Sequence, residues 1–127
     1  MPELIARFAV TGWDERSIDG LEGDWMGAVE MRKEFTSGLV GTSVALFVSS
    51  GETEGQRSYF AAERITGTTE DGRSGSVTVH HGGLESAPET WFGHVIPGSG
   101  TDDFAGWSGT ARIEHDEGGA SFIFDLD

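Results

Sequence analysis

Glu63 alternates with Tyr59, Ala61 and Ile65 along the stretch Ser58 to Thr66, so those four side chains share one face of a β-strand. If that face is the inside of a closed sheet, Glu63 is a carboxylate in an apolar space. Burial then raises its pKa and makes it a candidate general acid or base. The competing reading is structural: a carboxylate paired with an arginine from a neighbouring strand, or one that faces solvent. The chain has four histidines, His80, His81, His94 and His115. His80 and His81 are adjacent, so on a strand one points in and the other out. His81 shares parity with Val77 and Val79 and is the expected inward one, while His80 goes with Thr78. Glu63 and His81 are therefore the candidate catalytic pair. Adjacent strand histidines point apart and no cysteine is present, so no metal site is expected.

Arg32 and Arg112 fall in mid-strand, where either could neutralise Glu63 or hold a ligand carboxylate through two hydrogen bonds. Their alternative is a solvent-facing ion pair. Tyr59, Phe47, Trp91 and Trp25 are the aromatic candidates for lining a pocket, the alternative being plain core. The run Pro97-Gly98-Ser99-Gly100-Thr101 has the look of a phosphate cradle. It lacks a lysine and a following helix, and Asp102-Asp103 would repel phosphate, so it reads as a tight turn between strands.

The elements that must position these residues are short strands. Apolar alternation marks Leu4–Trp13, Val29–Phe35, Thr42–Ser49, Ser58–Thr66, Ser76–His81, Trp91–Ile96, Trp107–His115 and Ala120–Leu126. Asp71-Gly72 and Gly118-Gly119 give hairpin turns, and Ser17–Gly27 reads as a long loop. On the strand Thr42–Ser49, Val44, Leu46 and Val48 share one face and Ala45 and Phe47 the other. Glutamates in Val29–Phe35 could favour a helix, but Ser37-Gly38 and Gly41 cut it short. An open sheet of eight strands leaves two unprotected edges, whereas closure removes both and leaves room for side chains or one small ligand. The expected fold is all-β, a closed antiparallel barrel spanning residues 1–127 as one domain.

Composition narrows the partners. With 22 acidic residues against 8 basic, the formal charge is −14, which repels nucleic-acid phosphates and anionic lipid head groups. Neither nucleic acid nor membrane is an expected partner. The absence of cysteine excludes disulfides and thiolate chemistry. Glu3 and Arg7 interrupt the first apolar run, which lacks the form of a signal peptide, so the cytoplasm is the default location. Apolar residues on both faces of some strands allow a homo-oligomer.

The run Val95-Ile96-Pro97-Gly98-Ser99-Gly100-Thr101 with Phe104-Ala105-Gly106-Trp107-Ser108-Gly109 is distinctive. So is Glu63-Arg64-Ile65-Thr66-Gly67 leading to Gly72-Arg73-Ser74-Gly75-Ser76, flanked by Phe8, Trp13-Asp14 and Phe124-Asp125-Leu126. Across nearly its whole length the chain resembles a bacterial family known as domain of unknown function 3224. That family is similar in fold to the allene oxide cyclase barrel, which also underlies plant dirigent proteins and some bacterial polyketide cyclases. The resemblance implies a closed barrel and no particular reaction. The chain departs from the family pattern at Thr101-Asp102-Asp103, where a glycine usually follows the threonine.

Three functions fit these observations. The first is binding of a small, mainly apolar molecule inside the barrel. The second is a cofactor-independent isomerase or cyclase whose cavity shapes the substrate while Glu63 or His81 moves a proton. The third is a structural or interaction protein with a filled barrel. No cofactor is expected in any of them. A cavity of about 300 Å³ or more would favour the first two.

Overall fold

The computed structural model describes residues 3–21 and 23–127. Its eight strands are β1 Glu3–Arg16, β2 Met26–Ser37, β3 Leu39–Ser50, β4 Ser58–Thr69, β5 Ser74–Leu84, β6 Phe92–Val95, β7 Gly109–Asp116 and β8 Gly119–Leu126. Each pairs antiparallel with the next, and β1 pairs with β8, so the sheet closes into a barrel with no free edge. Single 3₁₀ turns at Pro88–Thr90 and Asp102–Phe104 are the other regular elements among the described residues. The glutamate-bearing segment is strand, because Val29, Met31, Lys33 and Phe35 alternate onto the buried face. It begins earlier than its apolar pattern suggests, since Met26 and Gly27 pair with Ser50 and Ser49.

Strand β1 carries a bulge that the apolar pattern does not announce. Val10 pairs with Lys33 and Gly12 with Arg32, leaving one extra residue on β1. An extra residue reverses side-chain parity beyond it. Phe8 and Trp13, five positions apart, consequently both reach inner-face partners: Phe8 packs on Phe35, and Trp13 on Phe47.

The two ends of the barrel differ. At the end formed by the start of β1 and the finish of β2, the interior is solid. Phe8, Phe35, Leu39, Ile65, Val77, Val95, Phe122, Phe124 and Leu126 form one buried cluster. Phe104 and Trp107, from the β6–β7 connection, stack at 4.0 Å and join it. That connection runs along β5: Thr101 N–H donates to Ser76 O, the Ser99 hydroxyl accepts from Thr78 N–H, and Arg64 donates to Ser99 O at 2.8 Å. Pro97–Thr101 is thus a turn that straps the β5 edge beyond the short β6, as its sequence suggests. Gly75 lets it approach, because a Cβ there would lie 2.3 Å from Thr101 O.

Asp102 is the one non-glycine residue at positive φ among the described residues, with φ 53°. The left-handed region crowds a Cβ against the following carbonyl, which costs about 1 kcal/mol or more. Part of that is returned in the unfolded chain, where glycine has more freedom to lose. Asp102→Gly is expected to stabilise the barrel by roughly 0.5–1 kcal/mol in urea unfolding. A lower midpoint for the glycine variant would contradict this account of the turn.

Candidate functional site

A polar layer crosses the middle of the apolar interior. Lys33 on β2 and Ser43 on β3 are direct register partners, and Ala45 opposite Glu63 brings β4 alongside. Ala61 opposite His81 adds β5. All four polar side chains are buried, Glu63 completely. The Glu63 carboxylate accepts three hydrogen bonds: from Lys33 Nζ at 3.0 Å, from His81 Nε2 at 2.8 Å, and from the Ser43 hydroxyl at 2.6 Å. With Nε2–H directed at the carboxylate, Nδ1 faces the Tyr59 hydroxyl. The two atoms are hydrogen-bonded at 3.0 Å. The Lys33 ammonium also sits 4.2 Å and 4.8 Å from the ring centres of Phe8 and Phe122.

This geometry sets the ionisation of the layer. Burial alone pushes the Glu63 carboxyl up. The His81 hydrogen bond, the Lys33 charge and the Ser43 hydroxyl outweigh it and hold the pKa at about 2. That reverses the direction expected for an isolated buried carboxylate. Lys33 is lowered by burial, with the Glu63 charge and hydrogen bond opposing the shift. Tyr59 is pushed up to about 12, first by burial and then by the Glu63 charge. At neutral pH the layer therefore holds a buried ion pair, and the tyrosine keeps its proton.

On the far side of this layer the barrel opens. A basin of about 390 Å³ is walled by Trp13, Phe47, Tyr59, Trp91 and Ile113, with Ser49, Arg57 and Glu85 also on its lining. A second lobe of about 410 Å³ shares Tyr59, Trp91, Ile113 and His115 with the first and reaches His81. Tyr59 stacks on Phe47 at 5.0 Å and Phe47 packs on Trp13 at 5.4 Å, so three aromatic rings form a continuous wall. Gly83, at φ +149°, lets Trp91 close over β5, because a Cβ there would fall 2.5 Å from the indole. The Trp91 indole N–H donates to Leu84 O at 2.6 Å and fixes that ring in place. The filled-barrel alternative thus describes one half of the interior only.

The structure brings together Glu63, His81, Tyr59, Phe47 and Trp91, with Tyr59 joining the polar layer to the basin wall. Arg32 is not part of this group. It lies on the outer surface, paired with Glu30 at 2.7 Å. Arg112 lines the second lobe but pairs with Glu114 at 2.8 Å. Neither arginine neutralises Glu63; Lys33 does. Trp25, roughly half exposed, is not among the residues lining either lobe. Lys33 carried a readable signal, being the one charge on the Val29–Met31–Phe35 face of β2. Among the described residues no cluster of three or more histidine, aspartate or glutamate side chains could hold a metal ion.

Comparison with known proteins agrees with this architecture. Residues 4–126 match the family model described as Protein of unknown function (DUF3224). A crystal structure of a protein of unknown function from the DUF3224 family of Shewanella oneidensis MR-1 superposes with a TM-score of 0.85. It is 23% identical, and the alignment covers 100% of this chain and 96% of that one, a likeness that speaks to the fold. No curated protein matches the chain.

Proposed function

The chain belongs to this DUF3224 family, and from its own geometry we propose that the open half of the barrel binds a small, largely aromatic molecule. The observation that carries the reading is the aromatic-walled basin whose floor ends on a preorganised phenol. Its volume of about 390 Å³ lies in the range of small-molecule sites. Trp13, Phe47, Tyr59 and Trp91 offer flat apolar faces that suit one or two fused rings. The Tyr59 hydroxyl is held by His81 Nδ1 and keeps its proton, so it presents a fixed phenol oxygen to a ligand.

The same arrangement favours binding over proton transfer. A carboxylate held near 2 is a weak base at neutral pH, and a phenol near 12 is a weak acid. Every member of the layer already has its hydrogen-bond partner, so its charges stiffen the floor. An isomerase or cyclase would need Glu63 or His81 to give up one of these bonds in each turnover.

Titration with indole and with 2-naphthol tests the proposal, read by intrinsic fluorescence from Trp13 and Trp91 and by thermal shift. Saturable quenching and a rise in melting temperature are expected for at least one of them. Phe47→Ala removes the middle ring of the wall and should weaken that binding at least tenfold, roughly the 1.4 kcal/mol or more of a lost stacking contact and its buried area. Absence of a saturable response to either compound would count against the basin as a binding site.

A further inference from the structure

The basin rim carries an exposed cation, Arg57, that has no side-chain partner among the described residues. The chain has eight lysine and arginine residues. Six of them pair with carboxylates: Arg7 with Asp116, Arg16 and Arg32 with Glu30, Lys33 with Glu63, Arg73 with Asp71 and Arg112 with Glu114. Arg64 donates to Thr78 and to Ser99 O. Arg57 alone, among the described residues, makes no side-chain hydrogen bond or ion pair, and it lines the aromatic basin. In a chain of net charge −14, with carboxylates close to most of its cations, an unused guanidinium beside an apolar cavity is a selective feature.

A second donor stands near it. Ser49 lies on the same rim, in register with Tyr59, while Ser50 is in register with Ser58, the residue after Arg57. The Ser49 hydroxyl makes no side-chain hydrogen bond among the described residues, and its neighbour Ser58 is committed to Gly83 O. Glu85 also lines this lobe, its backbone N–H donating to Arg57 O at 2.7 Å, so a ligand anion must engage the guanidinium fork and point away from the Glu85 carboxylate.

Resting on the binding role proposed for the basin, we infer that its ligand is an aromatic carboxylate. The ring system lies on Trp13, Phe47, Tyr59 and Trp91, and the carboxylate meets Arg57 through the planar guanidinium fork, with the Ser49 hydroxyl as a further donor.

The test compares 1-naphthaleneacetate with 1-naphthaleneacetamide, which have the same ring and nearly the same shape, on the intact protein at pH 7 by calorimetry and tryptophan fluorescence. The acid is expected to bind about tenfold more tightly than the amide, in keeping with a charge-assisted hydrogen bond at an exposed rim. Arg57→Gln should bring the acid down to the amide's affinity and leave the amide unchanged. Arg57→Lys should keep part of the preference, because it retains the charge and loses the fork. Equal affinity of acid and amide for the wild-type protein, or an acid preference that survives Arg57→Gln, would overturn the carboxylate assignment while leaving the basin as a binding site. Failure of both compounds to bind would overturn the basin reading itself, and this inference with it.

Discussion

Lys33→Met is expected to destabilise the barrel by about 3–5 kcal/mol, although methionine fits the space and suits its apolar neighbours. The loss comes from Glu63. With the ammonium gone, a fully buried carboxylate keeps only the Ser43 hydroxyl and the His81 N–H. These supply hydrogen bonds but no compensating charge, and an uncompensated ion in an apolar interior is among the most costly single defects. Adding Glu63→Gln to Lys33→Met removes the charge while its side-chain oxygen still accepts from His81. The double variant should therefore be more stable than Lys33→Met alone, so that the two substitutions are strongly non-additive. Urea unfolding of the two single variants and the double variant gives the coupling. A Lys33→Met protein within about 1 kcal/mol of wild type would show that water or rearrangement relieves the carboxylate, and that the layer is no true ion pair.

The closed barrel and its strands are legible in the sequence because period-two alternation and turn residues act locally, and both survive into the structure with small changes at strand ends. Inward placement of Glu63 and His81 follows from parity with Ile65 and Val77 for the same reason. What escaped parity depends on partners far along the chain. On β3 the larger apolar side chains Val44 and Leu46 face outward, and Ser43, Ala45 and Phe47 line the interior. Local apolarity points the wrong way there, because the interior at that level is occupied by a polar layer and an aromatic wall. The bulge after Val10 carries no compositional mark, yet it decides that Trp13 joins the basin. The ionisation of Glu63 was unreadable for a related reason: burial is visible in parity, but the three donors that overcome it come from three other strands. Arg32 and Arg112 are the cations that mid-strand position offers for bidentate pairing, whereas the residue on the inner face is the lysine.

Acid is expected to separate wild type from Glu63→Gln. In the folded chain the carboxyl is held at about 2, below its ordinary value of 4.5, so the unfolded chain takes up a proton first as pH falls. A depressed carboxylate contributes stability that is fully present above about pH 5 and is lost as pH falls toward 2. A difference of that size corresponds to something on the order of 3 kcal/mol. Glu30, Asp71 and Asp116 are also lowered by their arginine partners, but these exposed pairs are screened by solvent and weaken with salt. Relief of self-repulsion acts in the opposite direction, since protonating a surface of net charge −14 favours the compact state as the pH approaches 4.4. The raw wild-type curve mixes these effects, and the difference between the two proteins isolates the buried term. Glu63→Gln should be less stable at pH 7, and the gap should narrow steadily between pH 5 and pH 2.5 in 0.5 M salt. If the gap stays constant across that range, the Glu63 carboxyl is not depressed in the fold, and the buried ion pair with Lys33 falls with it.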